Sequence, residues 1–461
     1  MTGATAVRQA TPAPLAPPSR GRAPVARLTW LLGRPSAQSA AAIVLPAVAF
    51  AVTTALLLVV LGGTLMFWRW TDPLADLYQL LSVVALALMA MPLLALGGAA
   101  ARLSARRRDD RLATLRLLGA TPAVVTAMTI IESTAVALAG ALAGVVLYLA
   151  LMPLVGLVPF GGAPIGAAAL WVGPIALAAV VLAVALLAAA SAAVGLRAVN
   201  VSPLGVRTRQ DPPRLRAVRV VAAVTVVAAA YVILQALGAM PGMVFMAVAL
   251  GGTFAATIAV LNAAGPWAVG VLARMQVRSA RTPAKLIAAR GILESPKAAW
   301  RQVSGMAMTS FVAVVGGSGM ALASSVDPAT GAEAHLTADI STGILITLVV
   351  SFLMVACSVG VNQAAAILDR RELYVGLDRI GMPRRVMERA RTRTTMAPLL
   401  FVVIASSAAA GVLLLPLTGM ALIVAPLSLA VVAGCFAVGI ALVWLALLAT
   451  RPVLTRVLHA A

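Results

Sequence analysis

The residues best suited to bind another protein lie in a charged segment between two apolar runs, residues 102–132, which we call the first connector. Its middle predicts a short amphipathic helix, because leucines recur at helical spacing beside arginines. Gly119 is suited to end that helix in a left-handed conformation, and Pro122 suits the first turn of the next one. The residues that we expect to contact a partner are Arg106, Arg107, Arg108, Leu112, Leu115, Arg116 and Gly119.

A second segment, residues 368–393, repeats this arrangement and is called the second connector. The two connector glycines are 262 positions apart (381 − 119 = 262). Arginines on two such helices can pair with acidic groups of a partner. The alternative is a surface loop held by lipid headgroups and by internal ion pairs, such as Arg106 with Asp110. The candidate contact residues in the second copy are Arg370, Arg371, Glu372, Leu373, Leu377 and Gly381.

Glu132 is the one acidic or basic residue that falls well inside a predicted apolar run. A carboxylate within a membrane is costly and is therefore a candidate functional group. The alternative is a packing hydrogen bond to a neighbouring helix, or to Ser133 or Thr134. We expect no catalytic residue, cofactor or metal in this chain, because it has no G-x-x-x-x-G-K-[ST] loop, no H-E-x-x-H motif and no nucleophile elbow.

The composition predicts an all-α polytopic membrane protein. Of the 461 residues, 62% are hydrophobic and only 11% are charged. Apolar runs of about 20 residues or more recur along the chain, and each is long enough to cross a bilayer. Soluble core helices rarely remain apolar for so long, and the alternating pattern of a membrane β-barrel is absent. The predicted runs are residues 41–66, 77–101, 122–150, 168–196, 218–238, 243–272, 303–323, 341–366, 394–415 and 421–449.

The net charge of +21 indicates topology rather than binding to nucleic acid. Of the 35 lysines and arginines, all except Arg69 fall in the N-terminal segment, the C-terminal tail and every second loop between runs. Because cytoplasmic segments carry the excess of basic residues, both termini and both connectors are predicted to be cytoplasmic. Cys357 and Cys435 lie within apolar runs, which favours a packing role over a disulfide.

An internal repeat sets the predicted domain organisation. Residues 24–38 and 284–300 both read as short interfacial helices, and their prolines are 261 positions apart (296 − 35 = 261), as are Phe50 and Phe311 (311 − 50 = 261). Two four-helix repeats would then flank two linking helices, and an even number of linking helices keeps the repeats parallel. The predicted domains are a disordered tail 1–23, a first repeat 24–217, linking helices 218–272 and a second repeat 273–461.

The outer loops are short, and two of them have a distinctive composition. Residues 151–167 are rich in glycine and proline and carry no charge. Residues 324–340 hold Asp327, Glu333, His335 and Asp339, but at no spacing typical of metal ligands, so we expect a solvated acidic loop. Within the runs, small and amide residues predict contacts between helices. They are Gly140, Gly144, Gln235, Asn262, Asn362 and Gln363.

Several of these motifs resemble the FtsX-like permeases (the MacB/FtsX superfamily) of ABC transporters. The residues that carry the resemblance are the run Arg106 to Asp110, the sequence LRLLGAT at 115–121, Glu132, Gly140 and Gly144, with the segments 200–209 and 289–302. The similarity extends from about residue 24 to the end. In the second copy Arg370, Arg371, Glu372 and Gly381 match, whereas Thr394 stands where a counterpart of Glu132 would be.

The resemblance implies a permease subunit in the bacterial cytoplasmic membrane, coupled to a separate ATPase that binds ATP and Mg²⁺. Each connector would then be a coupling helix, and two copies imply two ATPase protomers for each permease chain. The ten-helix layout is similar to bacitracin-export-type permeases without their large extracytoplasmic domain, which points to export of a hydrophobic antibiotic or lipid. The alternatives are a permease that transmits motion without moving a substrate, and an ion-coupled transporter, which normally needs more than one intramembrane charge.

Overall fold

The structure of the protein is a computed structural model. It describes residues 40–71, 74–83, 85–86, 89, 122–200, 218–236, 243–323, 335–424 and 426–459. Several predictions lie outside these residues. They concern the tail 1–23, the interfacial helix 24–38, most of the run 77–101, the first connector up to residue 121, the segment 201–217, and Asp327 and Glu333 in the outer loop.

The described residues are almost entirely helical. In chain order the helices are α1 Ala40–Phe67, α2 Pro122–Val155, α3 Pro174–Asn200, α4 Val218–Gln235, α5 Met243–Arg278, α6 Pro283–Glu294, α7 Pro296–Ala323, α8 Leu336–Asp369, α9 Arg371–Arg379, α10 Arg384–Leu413, α11 Leu415–Val424, α12 Pro426–Ala449 and α13 Arg451–His459. Residues 75–83 are also helical. Between α2 and α3 lie a two-stranded hairpin, β1 Pro159–Phe160 and β2 Ala163–Pro164, and a short 3₁₀ helix, Ala167–Leu170.

Eight helices in the described part of the chain are long and apolar enough to cross a membrane. The protein is therefore a multi-pass helical membrane protein, as predicted. Two predicted runs are not among the eight. Most of the run 77–101 lies outside the described residues, and the run 218–238 forms α4, whose apolar part is the shorter stretch Val224–Gln235. The arrangement of ten helices as four, two and four stays a prediction.

The closest helix contact in the first half joins α1 to α2. A Cβ atom added to Gly140 would lie 2.6 Å from the carbonyl oxygen of Ala47, and one added to Gly144 would lie 2.5 Å from that of Ala51. The absence of side chains at these two glycines therefore lets the backbones approach, as in the small-xxx-small contacts of membrane helices. Phe50, fully buried, packs beside this contact.

Helix α8 joins the two halves of the chain. On one side it packs into a large core with α5, α7, α10 and α12, in which Phe352, Leu399 and Val443 are buried. On the other side Met354 and Val361 pack in a core with α1, α2 and α3. Because one helix supplies side chains to both cores, a shift of α8 must disturb the packing of both halves.

Two of the predicted polar contacts join different helices. The side-chain amide of Gln363 in α8 donates to the hydroxyl of Thr395 in α10 at 2.6 Å. The indole N–H of Trp300 in α7 donates to Asn262 in α5 at 2.7 Å. Gln235 and Asn362 instead bond within their own helices, so for these two the prediction of an interhelical bond is wrong.

We expect the glycine contact between α1 and α2 to be sensitive to a single methyl group. Gly140→Ala or Gly144→Ala should lower the free energy of unfolding by about 1–3 kcal/mol, because the added carbon forces the helices apart. The measurement is thermal unfolding of the purified protein in detergent. The control is Gly63→Ala in α1, where the added carbon meets no described atom within 4 Å. This control should be neutral or gain up to about 1 kcal/mol from helix propensity. Equal unfolding midpoints for the three variants would contradict the packing argument.

Candidate functional site

The described part of the second connector forms helix α9, which presents apolar side chains to solvent. Leu373 is 53% exposed and Ile380, just after the helix, is 76% exposed, while Leu377 between them is half-buried. These three residues recur at spacings of four and three, so they lie on one side of the helical path. No residue of α9 is fully buried.

Gly381 ends the helical segment of the second connector in a left-handed conformation, as its residue type suggests. Its φ of +83° is left-handed, and its N–H donates to the carbonyl of Asp378 at 2.9 Å. The N–H of Met382 donates to the carbonyl of Leu377 at 3.0 Å. This pair of bonds satisfies the last carbonyls of a helix without continuing it. Pro383 then precedes α10, so the chain turns sharply from α9 into a membrane-length helix.

Arginines surround α9 and form exposed ion pairs with neighbouring elements. Arg370 lies 3.3 Å from Glu294 at the end of α6, and Arg384 lies 4.0 Å from Asp378. Exposed pairs of this kind contribute only about 0–1 kcal/mol. They therefore orient the arginines without removing them from the surface.

Tyr374 holds α9 against the rest of the protein. Its side chain packs with Leu454 and Leu458 of α13 and with Ile367 at the end of α8. Burial raises the pKa of the Tyr374 phenol, and the positive charges of Arg391 and Arg370 oppose that rise. The phenol thus stays neutral at physiological pH, and its apolar contacts hold α9 against α8 and α13.

Arg391 in α10 is a buried charge that the sequence analysis missed. Only 6% of its surface is exposed, and its guanidinium donates to the hydroxyl of Thr450 and, at 3.1 Å, to the carbonyl of Leu447. Arg391 is thus a further charged group within a membrane-length helix, in addition to Glu132 of α2. The predicted run began at residue 394, whereas α10 begins at Arg384 and includes this arginine.

The structure places Glu132 in α2, half-buried and with an interaction partner. The hydroxyl of the adjacent Thr134 is used within the helix, donating to the carbonyl of Ile130 at 2.8 Å. Thr394, at the corresponding position of the predicted second copy (394 − 132 = 262), likewise donates within its own helix, to Ala390.

The candidate contact residues of the first connector lie outside the described residues. They are Arg106, Arg107, Arg108, Leu112, Leu115, Arg116 and Gly119.

At the opposite end of α8, Asp339 binds two segments of the first half of the chain. Its carboxylate accepts a hydrogen bond of 2.6 Å from the hydroxyl of Tyr78 and lies 3.0 Å from the backbone nitrogen of Gly161 through either oxygen. Only 3% of Asp339 is exposed. It also lies in the first turn of α8, where the helix dipole favours a negative charge.

The local sequence explains why Gly161 can donate this bond. Gly161 and Gly162 are the two central residues of the β1–β2 hairpin, and both have positive φ, +62° and +79°. A two-residue hairpin turn of this kind needs positive φ at both positions, which glycine adopts without strain. A Cβ on Gly162 would lie 2.7 Å from the ring of His335, so the hairpin also packs closely on the start of α8.

We call Asp339 and its donors Tyr78 and Gly161 the carboxylate clamp. The ring of Tyr78 belongs to a cluster of four aromatic rings. Tyr78 stacks on Phe67 with ring centroids 5.5 Å apart, and Phe67 meets Phe160 and Trp70 edge to face at 5.5 Å and 5.2 Å. Nearby, Arg69 donates to the carbonyl of Trp171 at 3.0 Å. Tryptophan and arginine at the ends of apolar helices are typical of a membrane interface.

A cavity of about 370 Å³ opens beside the clamp. Side chains from residues 75–85, α5, α7 and α8 line it, together with Phe67 and Phe160. The lining is almost entirely apolar, and Asp339 supplies its one charged group among the described residues. This volume is within the range of small-molecule sites in proteins.

The predicted solvated loop at 324–340 is wrong for its last residues. Helix α8 begins at Leu336, five residues before the predicted run, and Asp339 is buried rather than solvated. The first turn of α8 contains Asp339 and interrupts the apolar pattern of the helix. Hydropathy alone therefore does not show that this turn is helical and buried. The repeat offset does contain a signal, because Tyr78 and Asp339 are 261 positions apart, as are Phe50 and Phe311.

We expect the hydroxyl of Tyr78 to stabilise the buried carboxylate. Tyr78→Phe keeps the ring but removes a hydrogen bond to a charged group, which should lower the free energy of unfolding by about 1.5–3 kcal/mol. The measurement is thermal or chemical unfolding in detergent. The matched control is Tyr231→Phe, whose hydroxyl accepts an exposed hydrogen bond from Gln235 of the same helix. Its effect should be within about 0.5 kcal/mol. A Tyr78 variant as stable as the control would show that the clamp contributes nothing.

Comparison with known proteins gives one family match. Residues 80–201 match the family model described as FtsX-like permease C-terminal. No curated protein and no solved structure matches the chain. The matched segment includes the first connector, Glu132, and helices α2 and α3 with the hairpin between them. This part of the chain is therefore an FtsX-like permease domain, which agrees with the resemblance seen in its motifs.

Proposed function

We propose that this multi-pass membrane protein, with its FtsX-like permease domain at residues 80–201, is the permease subunit of an ABC transporter. A separate cytoplasmic ATPase would drive it to export a hydrophobic compound, such as an antibiotic or a lipid, or to extract it from the outer leaflet. ATP and Mg²⁺ would bind to that ATPase, since this chain has no phosphate-binding loop. The proposal places the protein in the bacterial cytoplasmic membrane with both termini in the cytoplasm.

The observation that carries the proposal is the exposed surface of α9. A short amphipathic helix with unburied Leu373 and Ile380 lies between two membrane-length helices, α8 and α10. Exposed apolar groups bordered by arginines are suited to a protein partner that supplies an apolar pocket and acidic groups. A partner that pushes on α9 acts on α8 and α10 together, because only one or a few residues separate them.

Helix α8 provides a physical route from the connector to the cavity. It has 34 residues, which at 1.5 Å per residue gives a length of about 50 Å. Its last residues adjoin α9, and residues between Asp339 and Thr347, near its start, line the cavity. A rigid helix of this kind can carry a displacement between two distant sites. The cavity favours transport over the alternative of transmitting motion without a substrate, which needs no such space.

The internal repeat supports two docking sites on one chain. The first connector would bind one ATPase protomer and the second connector the other. In this arrangement the repeats 24–217 and 273–461 are parallel, and residues 218–272 link them. The connector glycines Gly119 and Gly381 stand 262 positions apart in the sequence, and this repetition supports the stoichiometry.

Charge reversal in the connectors tests the docking role. We expect Arg370→Glu with Arg371→Glu, and separately Arg107→Glu with Arg108→Glu, to weaken binding of the ATPase encoded beside this protein by about tenfold or more, because like charges would then face each other. The measurement is co-purification from membranes, followed by the ATPase rate of the complex.

The matched control for the second connector is Glu294→Ala. It breaks the same ion pair with Arg370 but leaves the arginine on the surface. The control should therefore assemble normally. Unaltered assembly and coupling in the charge-reversed variants, or an equal defect in the control, would refute docking through these arginines.

Glu132→Gln tests whether the carboxylate takes part in transport. We expect reduced export with intact assembly, because the substitution keeps the shape and hydrogen-bonding capacity of the side chain but removes its charge. Transport is measured in vesicles with ATP, and assembly by co-purification. Full transport activity would leave Glu132 only a packing role.

A further inference from the structure

We infer that the cavity beside Asp339 binds a lipophilic cation through that carboxylate. The inference rests on the proposed function in one respect: it takes the bound cation to be the compound that is exported. The binding itself follows from the cavity and its lining. The cavity is a different part of the molecule from the connectors, and the sequence analysis did not identify it.

The charge of Asp339 is not balanced within the described residues. The carboxylate accepts bonds from Tyr78 and Gly161, which are neutral donors, and no lysine or arginine of the described chain forms an ion pair with it. His335, four residues earlier, has its ring against Gly162. A buried charge without a charged partner is costly, and a cation that enters its cavity recovers part of that cost.

The donors of Asp339 leave acceptor capacity for a ligand. A carboxylate has about four lone-pair positions, whereas Tyr78 and Gly161 supply only two donor groups. A protonated amine or another cation can therefore approach without displacing Tyr78. Because the hydroxyl and the backbone N–H fix the carboxylate in place, a ligand meets a positioned charge rather than a mobile one.

The rings near Asp339 favour a cation over a neutral donor. Phe67, Tyr78 and Phe160 all line the cavity at its charged end. The face of an aromatic ring attracts a cation by about 0.5–2 kcal/mol, more strongly when water is excluded. Elsewhere in the lining, Phe254, Ile258 and Phe311 offer apolar surface for the body of the ligand.

The position of the cavity suits a molecule that bridges the two repeats. Tyr78 comes from the helical residues 75–83, Phe254 from α5, Phe311 from α7 and Asp339 from α8. A ligand that fills the cavity thus contacts both halves of the chain and the linking region at once. Displacement of α8 would change the shape of the site, so binding and the motion of α8 are expected to be linked.

The test uses the purified full chain in phosphatidylcholine nanodiscs, without ATPase or nucleotide. The probes are methyltriphenylphosphonium, a lipophilic cation, and triphenylphosphine oxide, an uncharged molecule of similar shape. Equilibrium dialysis should show tighter binding of the cation. Asp339→Asn should weaken binding of the cation by about tenfold or more and leave binding of the oxide unchanged.

A second variant keeps the inference testable if Asp339→Asn unfolds the protein. Gly343 lines the cavity, and a Cβ added there meets no described atom within 4 Å, so Gly343→Leu should fill the space and leave the clamp intact. We expect it to abolish binding of both probes while the unfolding temperature is retained. The control is Gly319→Leu in α7, which also has open space but does not line the cavity. It should bind as the unchanged protein does.

Equal affinity of the unchanged protein for the two probes, or unaltered cation binding in Gly343→Leu, would overturn the inference. The result is separable from the proposed function. Loss of ATPase docking would leave probe binding intact, whereas a cavity that binds neither probe would leave ATPase docking as it is.

Discussion

A carboxylate withdrawn from water needs donors, and Asp339 obtains its donors from the other half of the chain. The hydroxyl of Tyr78 and the backbone N–H of Gly161 both come from segments far away in sequence. If either donor moved away, a buried carboxylate oxygen would lose a hydrogen bond, which is costly away from bulk water. The start of α8, the hairpin and the aromatic rings must therefore keep their positions together. This requirement sets the shape of the cavity.

The molecule combines rigid and adaptable contacts. Gly140 and Gly144 bring α1 and α2 to backbone contact, so this pair is suited to act as a single body. Helix α8 instead packs against both halves with larger side chains such as Phe352 and Met354. Side-chain packing between helices permits small sliding movements more readily than backbone contact does. The packing around α8 is thus suited to small sliding movements of this helix, which borders the cavity.

Local patterns in the sequence predicted much of the fold but little of the site at Asp339. The first apolar run, 41–66, differs by one residue at each end from α1, and the roles of Gly140, Gly144 and Gly381 in close packing and helix ending follow from residue type. Hydropathy fails where a polar residue is buried by tertiary contacts. Asp339 precedes the apolar run of its helix, and Arg391 precedes that of α10, so both were assigned to loops or helix ends. Only a comparison of the two repeats pairs Tyr78 with Asp339.

The offset between Tyr78 and Asp339 has a consequence for how such a protein can evolve. Residues at equivalent positions of two parallel copies touch only where the copies' rotation axis passes. In an assembly of two identical chains, a residue on this axis contacts the same residue of the other chain, so two aspartates at this position would repel each other. The two predicted repeats of this chain differ in sequence and are free of this restriction. One can carry a phenol and the other a carboxylate at equivalent positions, so an unlike pair forms where two identical chains would place two like groups.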